Sequence, residues 1–145
     1  MIRARSEPQT ILLELNSNID FVEFQNLWNH MAMGILPMTK YIAEYQKHFK
    51  LYILSNTTEQ HIDSIRKKYS FISQFDGVIT SEQAGAHKPD KKIFKYACSL
   101  VKQNFENCAF IDDSIYNVRA ASALGINSHL YLTDRQLRVF LKSLL

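Results

Sequence analysis

From residue 50 onward, short β-favouring runs alternate with helical stretches four times, and no other feature constrains the fold as tightly. Leu51, Tyr52, Ile53 and Leu54 form an apolar run that stops at the turn formers Ser55, Asn56 and Thr57. A polar helix over 58–69 follows and ends in Arg66, Lys67 and Lys68, cations suited to a helix C-terminus. Gly77 to Thr80 reads as a second strand. Pro89 and Asp90 start a helix with Ile93, Phe94, Ala97, Leu100 and Val101 on one side. Ala109, Phe110 and Ile111 make a third strand, closed by Asp112, Asp113 and Ser114. Ser114 caps a helix with Val118, Ala121 and Leu124 inward, and Gly125 takes the left-handed position after it. His129 to Leu132 reads as a fourth strand, and Asp134 caps a last helix carrying Leu137, Phe140, Leu141 and Leu144. This order demands parallel strands joined by right-handed helical crossovers. The expected fold is α/β, a three-layer, Rossmann-like parallel sheet flanked by helices.

The preceding residues are helical in pattern. Asp20 and Glu23 make a capping box ahead of Phe21, Phe24, Leu27, Trp28 and Met31, and Gly34 ends that helix. Pro37 opens another, with Met38, Tyr41, Ile42 and Tyr45 on its apolar face. A length of 145 residues with 46% hydrophobic content predicts one domain, 1–145, with a sizeable core. The net charge of +3 is not gathered into a stripe. Arg66, Lys67, Lys68, Lys91, Lys92 and Lys95 lie on helix surfaces without interleaved aromatics, so a solvated face is expected and no nucleic-acid partner. No apolar run approaches the roughly 18 residues that span a bilayer, so no membrane role is expected. Met1 to Thr10 lack the apolar core of an export signal. Cys98 and Cys108 lack metal-ligand spacing and read as small buried hydrophobes of a reducing, cytoplasmic protein.

Ligands of parallel α/β sheets bind beyond the carboxyl ends of the strands. Ser55 and Asn56 stand after the first strand, Asp112 and Asp113 after the third, and Lys88 before the intervening helix. Adjacent carboxylates repel, and a divalent cation relieves them; Mg²⁺ takes one or two carboxylates plus water and phosphate oxygens. A lysine holds phosphate as a point charge, and a hydroxyl at a turn into a helix donates to its oxygens. Singly, Ser55 is a turn residue, Lys88 a surface lysine, the acidic pair a helix cap, and His61 a solvated side chain on a polar helix. Asn117, in a first helical turn, is ambiguous. Jointly they describe a site for a metal-bound phosphoryl group.

This pattern resembles the haloacid dehalogenase-like (HAD) hydrolase superfamily, mostly phosphatases and phosphotransferases, and especially its small-cap members. The stretches that carry the likeness are 51–57, 85–90 with Ile93 and Phe94, and 109–114 with Asn117, Ala120, Ala121, Gly125 and Ile126. They look like the second, third and fourth motifs of the family, and the likeness covers about residues 11–133. It implies that Ser55 and Asn56 bind phosphate, that Lys88 steadies the nucleophile and phosphoryl group, and that Asp113, assisted by Asp112, holds Mg²⁺. Asn117 and His61 are secondary candidates. The implied substrate is a small phosphorylated molecule.

The family's first motif, Asp-x-Asp after a strand, supplies the attacking carboxylate, and none occurs in these 145 residues. In one account residues 9–36 are the remnant of a helical cap and 37–145 an α/β core without its nucleophile strand. In the other, Ile11 to Leu15 is itself that strand, with Glu14 to Asn18 standing in degenerate form at the motif. By the resemblance, the missing strand lies between those ending at Ser55 and Asp112. The sheet must then close up, recruit residues 9–15, or borrow a strand from another chain, which makes a homodimer by strand exchange possible. Two functions follow: a HAD-type hydrolase in truncated form, inactive alone, or a silent relative that binds a phosphate-bearing ligand or a protein.

Overall fold

The computed structural model describes residues 42–145. The expected cap at 9–36 and the run 11–15 lie outside the described residues. A short helix, α1 (Ile42–Tyr45), buries Ile42 and Tyr45. Then come β1 (Tyr52–Ser55), α2 (Glu59–Lys68), a 3-10 turn (Ser70–Gln74), β2 (Gly77–Thr80), α3 (Ser81–Ala84) and α4 (Lys91–Leu100). A second 3-10 turn (Phe105–Asn107) leads to β3 (Ala109–Asp112), α5 (Ile115–Ser122), β4 (Asn127–Leu130) and α6 (Asp134–Ser143). The strand-helix alternation is as the periodicity predicts. No helix among the described residues is long and apolar enough to cross a membrane.

The strands form two parallel pairs. Tyr52 faces Gly77 and Ser55 faces Thr80 in the first, while Ala109 faces Asn127 and Asp112 faces Leu130 in the second. Among the described residues β1 and β3 do not pair, so the sheet has not closed up. Burial is uneven among the strands. Ile79 and Thr80 of β2 are 2% and 0% exposed, whereas no residue of β1 or β3 is fully buried. Strands at the middle of a parallel α/β sheet are ordinarily its most buried part. Here only β2 carries fully buried residues, and β1, β3 and β4 share one part-exposed pattern.

Two apolar clusters cover the pairs. Ile62 and Ile65 of α2 and Ile72 pack with Ile53 and Val78 of the first pair. Ile93, Phe94 and Cys98 of α4 join Ala86, Ala121 and Ile126, and both Leu54 of β1 and Phe110 of β3 pack on them. The Phe94 and Phe110 rings meet edge to face, their centroids 5.1 Å apart. Thus the cluster built around α4 draws on both pairs.

Three local expectations are corrected. The fourth strand is Asn127–Leu130, not 129–132, because the Asn127 N–H bonds the Cys108 carbonyl directly after Gly125 turns the chain at φ 90°. Leu132 is left 64% exposed. The last helix is capped by the Thr133 hydroxyl, which accepts from the Gln136 N–H, while Asp134 occupies its first turn. Leu100 is 53% exposed, because the buried stripe of α4 runs through Phe94 and Cys98.

Candidate functional site

The site gathers at the carboxyl ends of β1 and β3, around Lys88. The loop carrying Lys88 leaves α3 through Gly85, at φ 59°, and passes buried Ala86. Asn56, just beyond β1, then clamps that loop. Its side-chain amide donates to the Lys88 carbonyl at 2.9 Å, and its side-chain oxygen accepts from the Lys88 N–H at 2.7 Å. The Asn56 side chain, expected to hold phosphate, is therefore committed to Lys88, and its remaining route to an anion is its own backbone N–H.

The Lys88 Nζ donates to the Leu54 carbonyl and to Asp112 Oδ2, both at 2.8 Å. Leu54 belongs to β1 and Asp112 ends β3, so one ammonium joins the two strand pairs. The two acceptors can be no further apart than twice that bond length, which brings the carboxyl ends of β1 and β3 together. The Phe110 ring lies 5.7 Å from the same nitrogen. Lys88 is no surface lysine; its side chain is 12% exposed, and that of Asp112 is 8% exposed. An ammonium has three N–H donors, and two are used by these acceptors.

Asp112 and Asp113 divide their work. Asp112 Oδ1 accepts from the Ser114 N–H and from the Asn117 side-chain amide, both at 2.9 Å, while Oδ2 takes Lys88. Burial pushes the Asp112 pKa up, but the hydrogen bond and charge of Lys88, with Ser114 and Asn117, outweigh it and hold the carboxyl below its ordinary value. Asp113 is exposed, and its carboxylate has no hydrogen-bond partner among the described residues. Asn117 thus serves the site through Asp112. Ser114 occupies the N-cap of α5 without the side-chain cap bond expected of it, and its own N–H donates to the Asp112 carboxylate.

Ser55 ends β1, half-buried, and its hydroxyl has no partner among the described residues. His61 departs from expectation. It is 7% exposed rather than solvated, on the face of α2 that buries Ile62 and Ile65, and burial lowers its pKa. No described hydrogen bond of Lys88, Asn56, Asp112 or Asn117 reaches it. The Leu54 carbonyl and the Asn56 clamp were not foreseen; a backbone acceptor leaves no trace in residue identity, and the clamp joins residues 32 apart.

Mg²⁺ binds through one or two carboxylates and keeps several waters. Among the described residues no group of three or more His, Cys, Asp and Glu gathers as a self-sufficient cage. The open Asp113 carboxylate next to a saturated Asp112 fits the smaller requirement.

A family model for haloacid dehalogenase-like hydrolases matches residues 26–125. The chain belongs to the haloacid dehalogenase-like hydrolase family. Among curated proteins, the sesquiterpene phosphatase astK of Aspergillus oryzae is 29% identical over 84 residues, 58% of this chain and 42% of that protein. The drimenol cyclase drtB of Aspergillus calidoustus is 29% identical over 82 residues, 57% of this chain and 16% of that protein. This HAD-like chain thus spans less than half the length of either relative.

Solved structures show the same fold. A HAD family enzyme of Bacteroides thetaiotaomicron, crystallised with magnesium and inorganic phosphate, superposes with a TM-score of 0.72 at 21% identity, over 89% of this chain and 72% of that one. An L-2-haloacid dehalogenase gives a TM-score of 0.70 at 19% identity, over 84% of this chain and 54% of that one.

Proposed function

We propose that this HAD-like chain is the phosphate-binding portion of a magnesium-dependent hydrolase of small phosphorylated metabolites, working in the cytoplasm and inactive without an added carboxylate. The observation that carries this reading is the Lys88 ammonium, buried with Asp112 at the meeting of two strand ends and flanked by the open Asp113 carboxylate. Fixed positive charge in a partly dry site stabilises a phosphoryl group as its charge redistributes. Lys88 supplies that charge, and Asp112 keeps it ionised and in place. The Ser55 hydroxyl, with the first amides of α2, would donate to phosphoryl oxygens. Asp113 would hold Mg²⁺, which when bound neutralises phosphate charge.

The sequence holds no Asp-x-Asp, so these residues bind and orient but do not attack phosphorus. The opening between β1 and β3 is where a strand bearing the nucleophile would lie. It would come from a segment other than these 145 residues, because a second copy of them exchanging strands could fill the gap but brings no Asp-x-Asp either. The name of the Aspergillus oryzae relative makes a sesquiterpenyl phosphate a substrate to try beside a generic aryl phosphate. A second reading, a silent phosphate-binding module, is favoured by the same missing motif.

Calorimetric titration with inorganic phosphate and Mg²⁺ tests the binding claim. We expect saturable binding that weakens roughly tenfold or more in Lys88→Ala and in Asp113→Ala. Binding unchanged in both variants would sink the proposal. Neither substrate should be hydrolysed by residues 1–145 alone, because loss of a nucleophile costs several orders of magnitude. Supplying an apolar strand ending in Asp-x-Asp ahead of residue 9 separates the readings: release of phosphate supports the hydrolase, and none supports the silent module.

A further inference from the structure

The chain has two cysteines, and the fold brings them together. Cys98 lies on α4, and Cys108 stands immediately before β3. Their sulfurs are 3.7 Å apart, with the Cys98 thiol donating toward Cys108. Both are reduced; Cys98 is 7% exposed and Cys108 half-buried. Neither takes part in the site around Lys88.

We propose that Cys98 and Cys108 are a modification site, a dithiol that hydrogen peroxide converts to a reversible intramolecular disulfide. Cys108 reacts first, because it is the more accessible. Its sulfur attacks one peroxide oxygen, the O–O bond breaks, and Cys108 becomes a sulfenic acid with release of water. The Cys98 sulfur then attacks the Cys108 sulfur and displaces hydroxide, which takes the Cys98 proton and leaves as a second water. Two thiols and one peroxide thus yield one disulfide and two waters. Burial, reinforced by Cys108, pushes the Cys98 thiol up to about 12, so its proton leaves with the departing hydroxide rather than beforehand.

The link would fasten the C-terminal half of α4 to the start of β3. Lys88 precedes α4 and Asp112 ends β3, so both site residues lie at the opposite ends of the elements being joined. The expected consequence is a redox-dependent stability with an undisturbed phosphate site. Closing this short loop should raise the thermal midpoint by about 5–15 °C.

The test exposes the full chain to equimolar hydrogen peroxide and follows intact mass, peptide mapping and thermal melting. We expect a loss of about 2 Da, a peptide pair joined through Cys98 and Cys108, a higher midpoint, and reversal by dithiothreitol. In Cys98→Ser the sulfenic acid on Cys108 should persist and be trapped by dimedone, whereas Cys108→Ser should stay unmodified. Three outcomes would overturn the proposal: oxygen added to Cys108 of the unaltered chain without a link, a disulfide between two chains, or linkage only after denaturation in urea. Phosphate binding that falls on oxidation would overturn the placement of the link away from the site.

Discussion

The two strand pairs are alike in size and direction and unlike in what covers them. The β1–β2 pair has its own cover, with Ile62, Ile65 and Ile72 packed on Ile53 and Val78. The β3–β4 pair is packed by α4 and α5, and its cluster takes in Leu54 from the other pair. No backbone ladder joins them among the described residues; the cluster around α4 and the Lys88 side chain do. A sheet is usually made continuous by its own hydrogen bonds. Here the continuity on view is made by packing and by one ammonium.

Phe94 offers the strongest way to break that arrangement. It is 1% exposed, meets Phe110 of β3 edge to face and belongs to the cluster on which Leu54 of β1 also packs, so Phe94→Ala should cost about 4 kcal/mol through lost burial and the cavity left behind. Urea unfolding should show it, and amide exchange should rise in both pairs. Protection retained in β3–β4 would mean that the joint lies elsewhere. Next comes Lys88→Met, which leaves the Asp112 carboxylate buried without its cation and should cost about 3 kcal/mol. Adding Asp112→Leu to it should recover much of that loss, though not phosphate binding. A double variant no better than the single one would show that the pair serves the fold as much as the ligand.

Acid sharpens the comparison with a smaller effect. His61 belongs to the first pair's cover and has a lowered pKa, so its contribution is complete above its unfolded value, about 6.5, and declines as the pH falls toward its folded value. Asp112 belongs to the joint, and its lowered pKa gives a contribution complete above about 3.9 that is lost as the pH falls through the folded value. Urea midpoints measured against pH should therefore drop slightly below neutrality and again in strong acid. His61→Gln should remove the first decline alone, and Asp112→Asn the second.

Much of this was legible in the residues. The change from helical to alternating periodicity placed all four strands, three of them within a residue, because each apolar run is bounded by turn formers. The fourth slipped by two residues, since the chain enters its ladder directly after Gly125 and leaves Leu132 in solvent. Lys88, Asp112 and Asn117 were candidates from spacing and likeness, and the structure joins them through Asp112. Their division of labour was not readable. Whether Asp112 or Asp113 meets the lysine depends on which side of the strand end each faces, and the two are chemically identical. The burial of His61 was masked by its polar neighbours Glu59, Gln60 and Asp63. The meeting of Cys98 with Cys108 depends on how α4 lies on β3, which two isolated thiols in a sequence do not encode.

One of the lysine's two oxygen partners is a main-chain carbonyl. Exchanging the side chain at residue 54 leaves that oxygen where it is, so drift at this codon cannot strip the anchor away directly. Divergence can dismantle the contact only by changing residue 88 itself, by replacing its acidic partner, or by moving the strand bodily.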